Sequence, residues 1–190
     1  ILTSGPTGSG KTTTLYAILN EINQRSHKII TLEDPIEYRL DGINQIQVNP
    51  SIGLNFSNLL RSVLRQDPDI IMVGEIRDAE TARLATQAAL TGHLVISSLH
   101  TNTALGAVTR LIDMGIEPFL ISAALKGVIG QRLIKKLCTS CRSERKATPS
   151  ETVAFGLTED EIIANSQGCS TCHQTGYNGR VAIMEILSLD

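Results

Sequence analysis

Gly5-Pro6-Thr7-Gly8-Ser9-Gly10-Lys11-Thr12 satisfies G-x-x-x-x-G-K-[ST] in full. Its chemistry is the binding of phosphate. The glycines let successive backbone N–H groups turn inward as an anion nest at the start of a helix. Lys11 reaches β- and γ-phosphates, the Thr12 hydroxyl ligates Mg²⁺, and Thr13 completes the nucleotide-binding run. Two acids can finish such a site. In Asp69–Glu75 the acids open and close an apolar run, so at about 3.3 Å per residue they stand roughly 20 Å apart. Only Glu75 falls at the carboxyl end, where parallel sheets bind ligands. It is the candidate for orienting the Mg²⁺ shell, directly or through water.

A second apolar run ends in Glu33-Asp34-Pro35-Ile36-Glu37, and Pro35 stops the pairing. A carboxylate here can polarise an attacking water. Glu33, in phase with Ile29 and Thr31, is the first candidate, with Glu37 as the alternative. His100 closes a third run and can sense a γ-phosphate, or it is a histidine satisfied within the core. His93, at the start of that run, lies further from the nucleotide. Cys138-x-x-Cys141 and Cys169-x-x-Cys172, with 27 residues between them, have the spacing of a zinc site. Four thiolates make a closed structural centre with no position open for catalysis.

These residues need elements to hold them. Apolar runs alternate with helical patterns, which predicts an α/β fold with a mostly parallel sheet and helices on both faces. Strands are expected at 1–4, 28–33, 69–74 and 93–98, with an edge strand at Ile43–Val48 and a last strand at Val181–Leu187. Helices are expected at 11–24, 57–66, 79–90, 103–113 and 118–129. The domain reading is an ATPase core over 1–131, a tetracysteine zinc-binding subdomain over 132–178, and a C-terminal strand over 179–190 returning to the core. The first strand looks truncated, so the chain reads as a C-terminal part of something longer.

Composition bounds the function. Of 190 residues, 42% are apolar and 19% charged, with a formal net charge of −2, an ordinary globular balance. The basic groove of a motor that works on nucleic acid is missing from 1–131, so that reading stays an alternative and no nucleic acid is expected. An Asn-Lys-x-Asp guanine-reading motif is also missing. The longest apolar stretch, 118–134, is interrupted by charge and glycine and is too broken to span a bilayer. A soluble cytoplasmic protein is expected, since ATP is there. Arg132, Lys135, Lys136, Arg142, Arg145 and Lys146 surround the first cysteine pair, as a solvated basic face or as a docking face for an acidic partner.

Together the motifs resemble the GspE/PilB family of type II secretion and type IV pilus assembly ATPases. Gly5–Thr12 is similar to its Walker A, Thr31–Tyr38 to its Asp box, and Val73–Asp78 to its atypical Walker B. Thr91–Asn102 is similar to its His box, and the approach from Gln131 to Cys138 to its tetracysteine motif. The resemblance implies a RecA-like P-loop NTPase domain that hydrolyses Mg-ATP, with a zinc subdomain, in a homohexamer that drives pilin-like subunits out of the inner membrane. It implies Glu33 as the water-activating glutamate, Glu75 on the Mg²⁺ side, and His100 as a γ-phosphate contact. It further implies arginine fingers from a preceding domain, platform and adaptor proteins as partners, and a cytoplasmic location peripheral to the inner membrane.

Overall fold

Side chains of a strand alternate between the two faces of a sheet. In this chain both faces are apolar, so both must be covered. The computed structural model describes residues 1–158 and 160–189; Glu159 and Asp190, each inside an expected domain, lie outside them. Residues Ile1–Arg132 with Ile183–Asp190 form one compact unit, and Leu133–Ala182 form a second.

The first unit is built on a seven-stranded sheet. Its strands are β1 (Leu2–Ser4), β2 (Ile29–Glu33), β3 (Asn44–Gln47), β4 (Ile70–Val73), β5 (Leu94–Leu99), β6 (Gly127–Leu137) and β9 (Tyr177–Ser188), in the order β3-β2-β4-β5-β1-β6-β9. The pairs β2–β3, β2–β4, β4–β5, β1–β5 and β1–β6 are all parallel. Ile29, Ile70, Met72 and Ile96 face helix α1 (Lys11–Ile22), meeting Leu15, Tyr16 and Leu19. Their neighbours Ile30, Leu32, Ile71, Val73 and Val95 face the other way. There they pack beneath α2 (Phe56–Val63), α3 (Ala79–Leu90), α4 (Ala104–Asp113) and α5 (Pro118–Ala124). Burying one such side chain contributes about 1.5–3 kcal/mol, so the two clusters hold helices on both faces. The helix starts are fixed by short polar side chains. Asn55 accepts from Asn58 N, Asp78 from Thr81 N and Thr103 from Gly106 N, at 2.8, 2.8 and 3.0 Å, satisfying donors that the first helical turn leaves unpaired.

The expected strands and helices lie where the sequence places them to within a few residues, with one correction. Residues 118–129 are not one helix: α5 ends at Ala124, Leu125 is extended, and β6 begins at Gly127. Gly127 and Gly130 are poor helix formers. The β-branched pair Val128 and Ile129 instead lies opposite Leu2 and Thr3 of β1. The last strand is also longer than expected, starting at Tyr177.

The second unit holds β7 (Ser143–Lys146) paired antiparallel with β8 (Ile162–Asn165), the short helix α6 (Pro149–Phe155), and the four cysteines. Among its described residues the buried side chains are those of Cys138 and Cys172. Half of the basic cluster predicted around the first clip is internally matched. Arg145 grips Glu151 with both guanidinium nitrogens at 2.7 Å, Lys146 lies 2.7 Å from Asp160, and Lys135 sits over the Tyr177 ring.

Candidate functional site: a phosphate cradle at the carboxyl edge of the sheet

Parallel register decides which strand ends meet. Leu32 lies opposite Val73, Val73 opposite Ser97, and Leu99 opposite Ser4. The next residues along these strands, Glu33, Gly74-Glu75, His100 and Gly5, therefore emerge together at one edge. They surround a cavity of about 580 Å³, lined by Thr7 through Thr13, the Glu33–Glu37 turn, Tyr38, Glu75, Ser98 and His100. Gly5 and Pro6 are the residues of the predicted run that do not line it. They receive Lys11 Nζ on their carbonyl oxygens at 2.9 and 3.2 Å. Burial lowers the pKa of that ammonium, while the charge of Glu75 opposes the shift.

Two glycines make the edge possible. Gly5 has φ +150°, and a Cβ there would stand 2.5 Å from both Gln131 O and Ser9 Oγ. The strand behind the cradle thus touches its backbone, and Gln131 Nε2 adds a 2.7 Å bond to Ser9 O. Gly74 lets the end of β4 approach that of β2, since a Cβ would lie 3.1 Å from Leu32 O. Glu75 and Glu33 then line the same cavity.

Glu33 is buried, and its carboxylate is held from three sides. Oε2 accepts from the Tyr16 hydroxyl. Oε1 accepts from the Thr31 hydroxyl and from Gln45 Nε2, the latter at 3.0 Å. Burial, reinforced by Glu33, pushes the Tyr16 phenol up to about 12, so it remains a donor. Glu75 contacts Arg77 through one oxygen, and His100 Nε2 lies 3.3 Å from the other. Arg77 also stands 3.5 Å from Asp34. Ser97 and Ser98 brace this corner from β5, donating to Val73 O at 2.6 Å and Gly74 O at 2.7 Å. His93 lies away from the cavity, bonded to Ala88 O.

Tyr16, Thr31, Gln45, Ser98 and Gln131 were not singled out from the sequence. For Thr31 the signal was available: it is two residues before Glu33 on one strand and therefore on the same face.

The cysteines meet independently of this cavity. All four Sγ atoms lie within 4.8 Å of one another, with Cys138–Cys169, Cys141–Cys172 and Cys169–Cys172 at 3.9, 3.8 and 3.8 Å. A tetrahedron with Zn–S bonds of about 2.3 Å has edges of about 3.8 Å, so the sulfurs fit zinc. Burial raises the Cys172 thiol, but backbone N–H groups of Cys169 and Gly176, each 3.2 Å from its sulfur, together with the neighbouring Cys169 and Cys141 thiols, bring it to about 6. Burial pushes Cys141 up to about 11. Metal ligation needs thiolates, so loading a metal would release the protons the thiols carry.

A parallel sheet with a glycine-rich cradle opening its first helix, and acids closing the neighbouring strands, defines the class: a mixed α/β fold of the RecA-like, P-loop kind. The comparisons agree. The pilus retraction motor PilT with bound ADP superposes with a TM-score of 0.72 at 36% identity, over 100% of this chain and 47% of that one. The family described as Type II/IV secretion system protein matches residues 1–190, and this chain belongs to it. Type II secretion system protein E of Aeromonas hydrophila is 56% identical over 100% of the chain. The type IV pilus assembly ATPase PilB of Thermus thermophilus is 55% identical over the same span. The chain covers 38% of the length of the first and 22% of the second. Among the described residues no helix is long and apolar enough to cross a membrane.

Proposed function

We propose that this chain binds and hydrolyses Mg-ATP and is the motor domain of a machine for type II secretion or type IV pilus assembly. The observation that carries the reading is the convergence of the Lys11 cradle, Glu33, Glu75 and His100 on one cavity. The backbone N–H groups of the cradle and Lys11 hold the phosphates. Thr12 and Glu75 would hold Mg²⁺, which when bound offsets charge on the β- and γ-phosphates. His100, tied to Glu75, reaches for the γ-phosphate. A carboxylate offers about four acceptor sites, and three on Glu33 are filled. The one left suits it to orient a single water.

Zinc held by Cys138, Cys141, Cys169 and Cys172 in the second unit has a structural role. A hexameric ring, arginine fingers from a preceding domain, and inner-membrane platform and adaptor partners complete the proposal. They place the protein in the cytoplasm, bound to the membrane through those partners. Arg77, already engaged by Glu75 and Asp34, is the in-chain alternative to such a finger.

Glu37 lines the same cavity and is the rival base. The test is ATP turnover of Glu33→Gln against Glu37→Gln. A general base is worth about 10²–10⁴ in rate, so Glu33→Gln is expected to fall by at least a hundredfold and Glu37→Gln by far less. The reverse order transfers the role to Glu37.

A further inference from the structure

Tyr16 is buried in the apolar cluster between α1 and the sheet, where a phenylalanine would pack as well. Its hydroxyl is what needs explaining. A buried phenol must be hydrogen-bonded, and this one is bonded twice, on two parts of the proposed water-activating turn. It donates to Glu33 Oε2 and accepts from the backbone N–H of Glu37 at 3.3 Å. The ring also meets Tyr38 edge-on, with centroids 4.7 Å apart. One side chain therefore touches three points of the segment 33–38.

That side chain stands on a particular helix. α1 begins at Lys11, and Tyr16 follows Thr12 by four residues, the spacing that stacks side chains on one helical face. The rise over those four residues is about 6 Å. No loop intervenes between the group proposed to hold magnesium and the group that grips Glu33. Glu33 shares the α1 face of the sheet with Ile29 and Thr31, so register delivers the carboxylate to the phenol.

We propose that Tyr16 is a positioning residue for ATP hydrolysis: its hydroxyl holds Glu33 so that the one acceptor site left faces the nucleotide cavity, and the same hydroxyl tethers the backbone of the turn at Glu37. The inference rests on the reading of Glu33 as the water-activating group. Thr31 and Gln45 hold the opposite oxygen, so loss of the phenol frees the carboxylate on one side only. The base becomes misdirected rather than lost.

The experiment compares Tyr16→Phe, Glu33→Gln and the double variant in the longest chain that carries these residues. It reads single-turnover phosphate release and equilibrium ATP binding. Tyr16→Phe is expected to slow release by about tenfold or more, since small misplacements of a reacting group cost up to about 10² in rate, with ATP affinity held within about twofold. In the Glu33→Gln background the same change is expected to add no further loss, because residues that act through one another are not additive. Wild-type release by Tyr16→Phe beside an impaired Glu33→Gln overturns the inference and leaves the reading of Glu33 standing. Losses that multiply in the double variant, or a fall in ATP affinity matching the fall in rate, also overturn it. Wild-type release by Glu33→Gln removes the reading itself. Where Tyr16→Phe does not fold, Thr31→Val takes its place. That variant strips a donor from the other oxygen of the same carboxylate and must slow release several-fold at unchanged affinity for the inference to stand.

Discussion

The two units of this chain reach order by opposite means. In the first, apolar side chains of the parallel sheet and of the helices on both its faces are buried, Leu19, Leu32, Leu60, Ile71 and Ile96 completely. In the second, the buried side chains among the described residues are Cys138 and Cys172, while Val153, Phe155 and Ile162 stand 85, 72 and 63% exposed. One unit is specified by area removed from water. The other is specified by four sulfurs at tetrahedral spacing, because a segment of about fifty residues buries too little surface to stand alone. Each unit should therefore fail under a different perturbation.

Removing metal is expected to have the largest effect. Metal analysis of freshly purified protein should find about one zinc per chain, bound with an apparent strength of about 10–16 kcal/mol as in zinc-finger peptides. Chelation, or Cys172→Ser, should raise amide exchange across 138–178 and leave 1–131 protected. Exchange that rises equally in both units, or zinc that is not there, breaks the contrast. Leu19→Ala is the reciprocal change. A buried Leu→Ala costs about 2–5 kcal/mol, so thermal unfolding of the first unit should move down while zinc content stays fixed.

Lys11→Ala acts at the nucleotide cavity alone. Calorimetry should show ATP affinity weakened at least tenfold, about 1.4 kcal/mol, with the zinc content of the wild type. Equal affinity of variant and parent would remove the cradle assignment. The smallest expected effect is that of Thr148→Ala. Thr148 caps α6 in a reciprocal box with Glu151. Its loss should cost about 1 kcal/mol, seen only in the exchange of residues 149–155.

Much of this was legible from residue order, for reasons particular residues show. Glu75 could be separated from Asp69 because a strand has two ends and only one meets the cradle; Asp69 instead accepts from Lys28 N at the far end of the sheet. The paired cysteines announced their own geometry. The extent of the 118–129 helix was misread because apolar texture does not distinguish a helix from a strand buried at the centre of a sheet. Only the pairing of Val128 with Leu2 settles it. The grip on Glu33 was illegible for a different reason. Thr31 shares a strand face with Glu33, but Tyr16 and Gln45 come from a helix and another strand, and nothing in their spacing says that they share that carboxylate until register and facing are known.

The arrival of Gly5, Glu33, Glu75 and His100 at one edge has a consequence for how the chain tolerates change. Each of these residues ends a different strand, and each strand is fixed by its neighbours rather than by the turn that follows. Insertions at Asp41–Gly42, in an exposed connection that does not line the cavity, are expected to leave the edge as it is. A single-residue deletion inside β2 does the opposite. It turns every following side chain to the other face of the sheet, so a carboxylate that pointed at α1 would point beneath α2. The site is therefore sensitive to length within the short strands, the cradle and the 33–38 turn that line the cavity, and far less so in exposed connections that do not touch it.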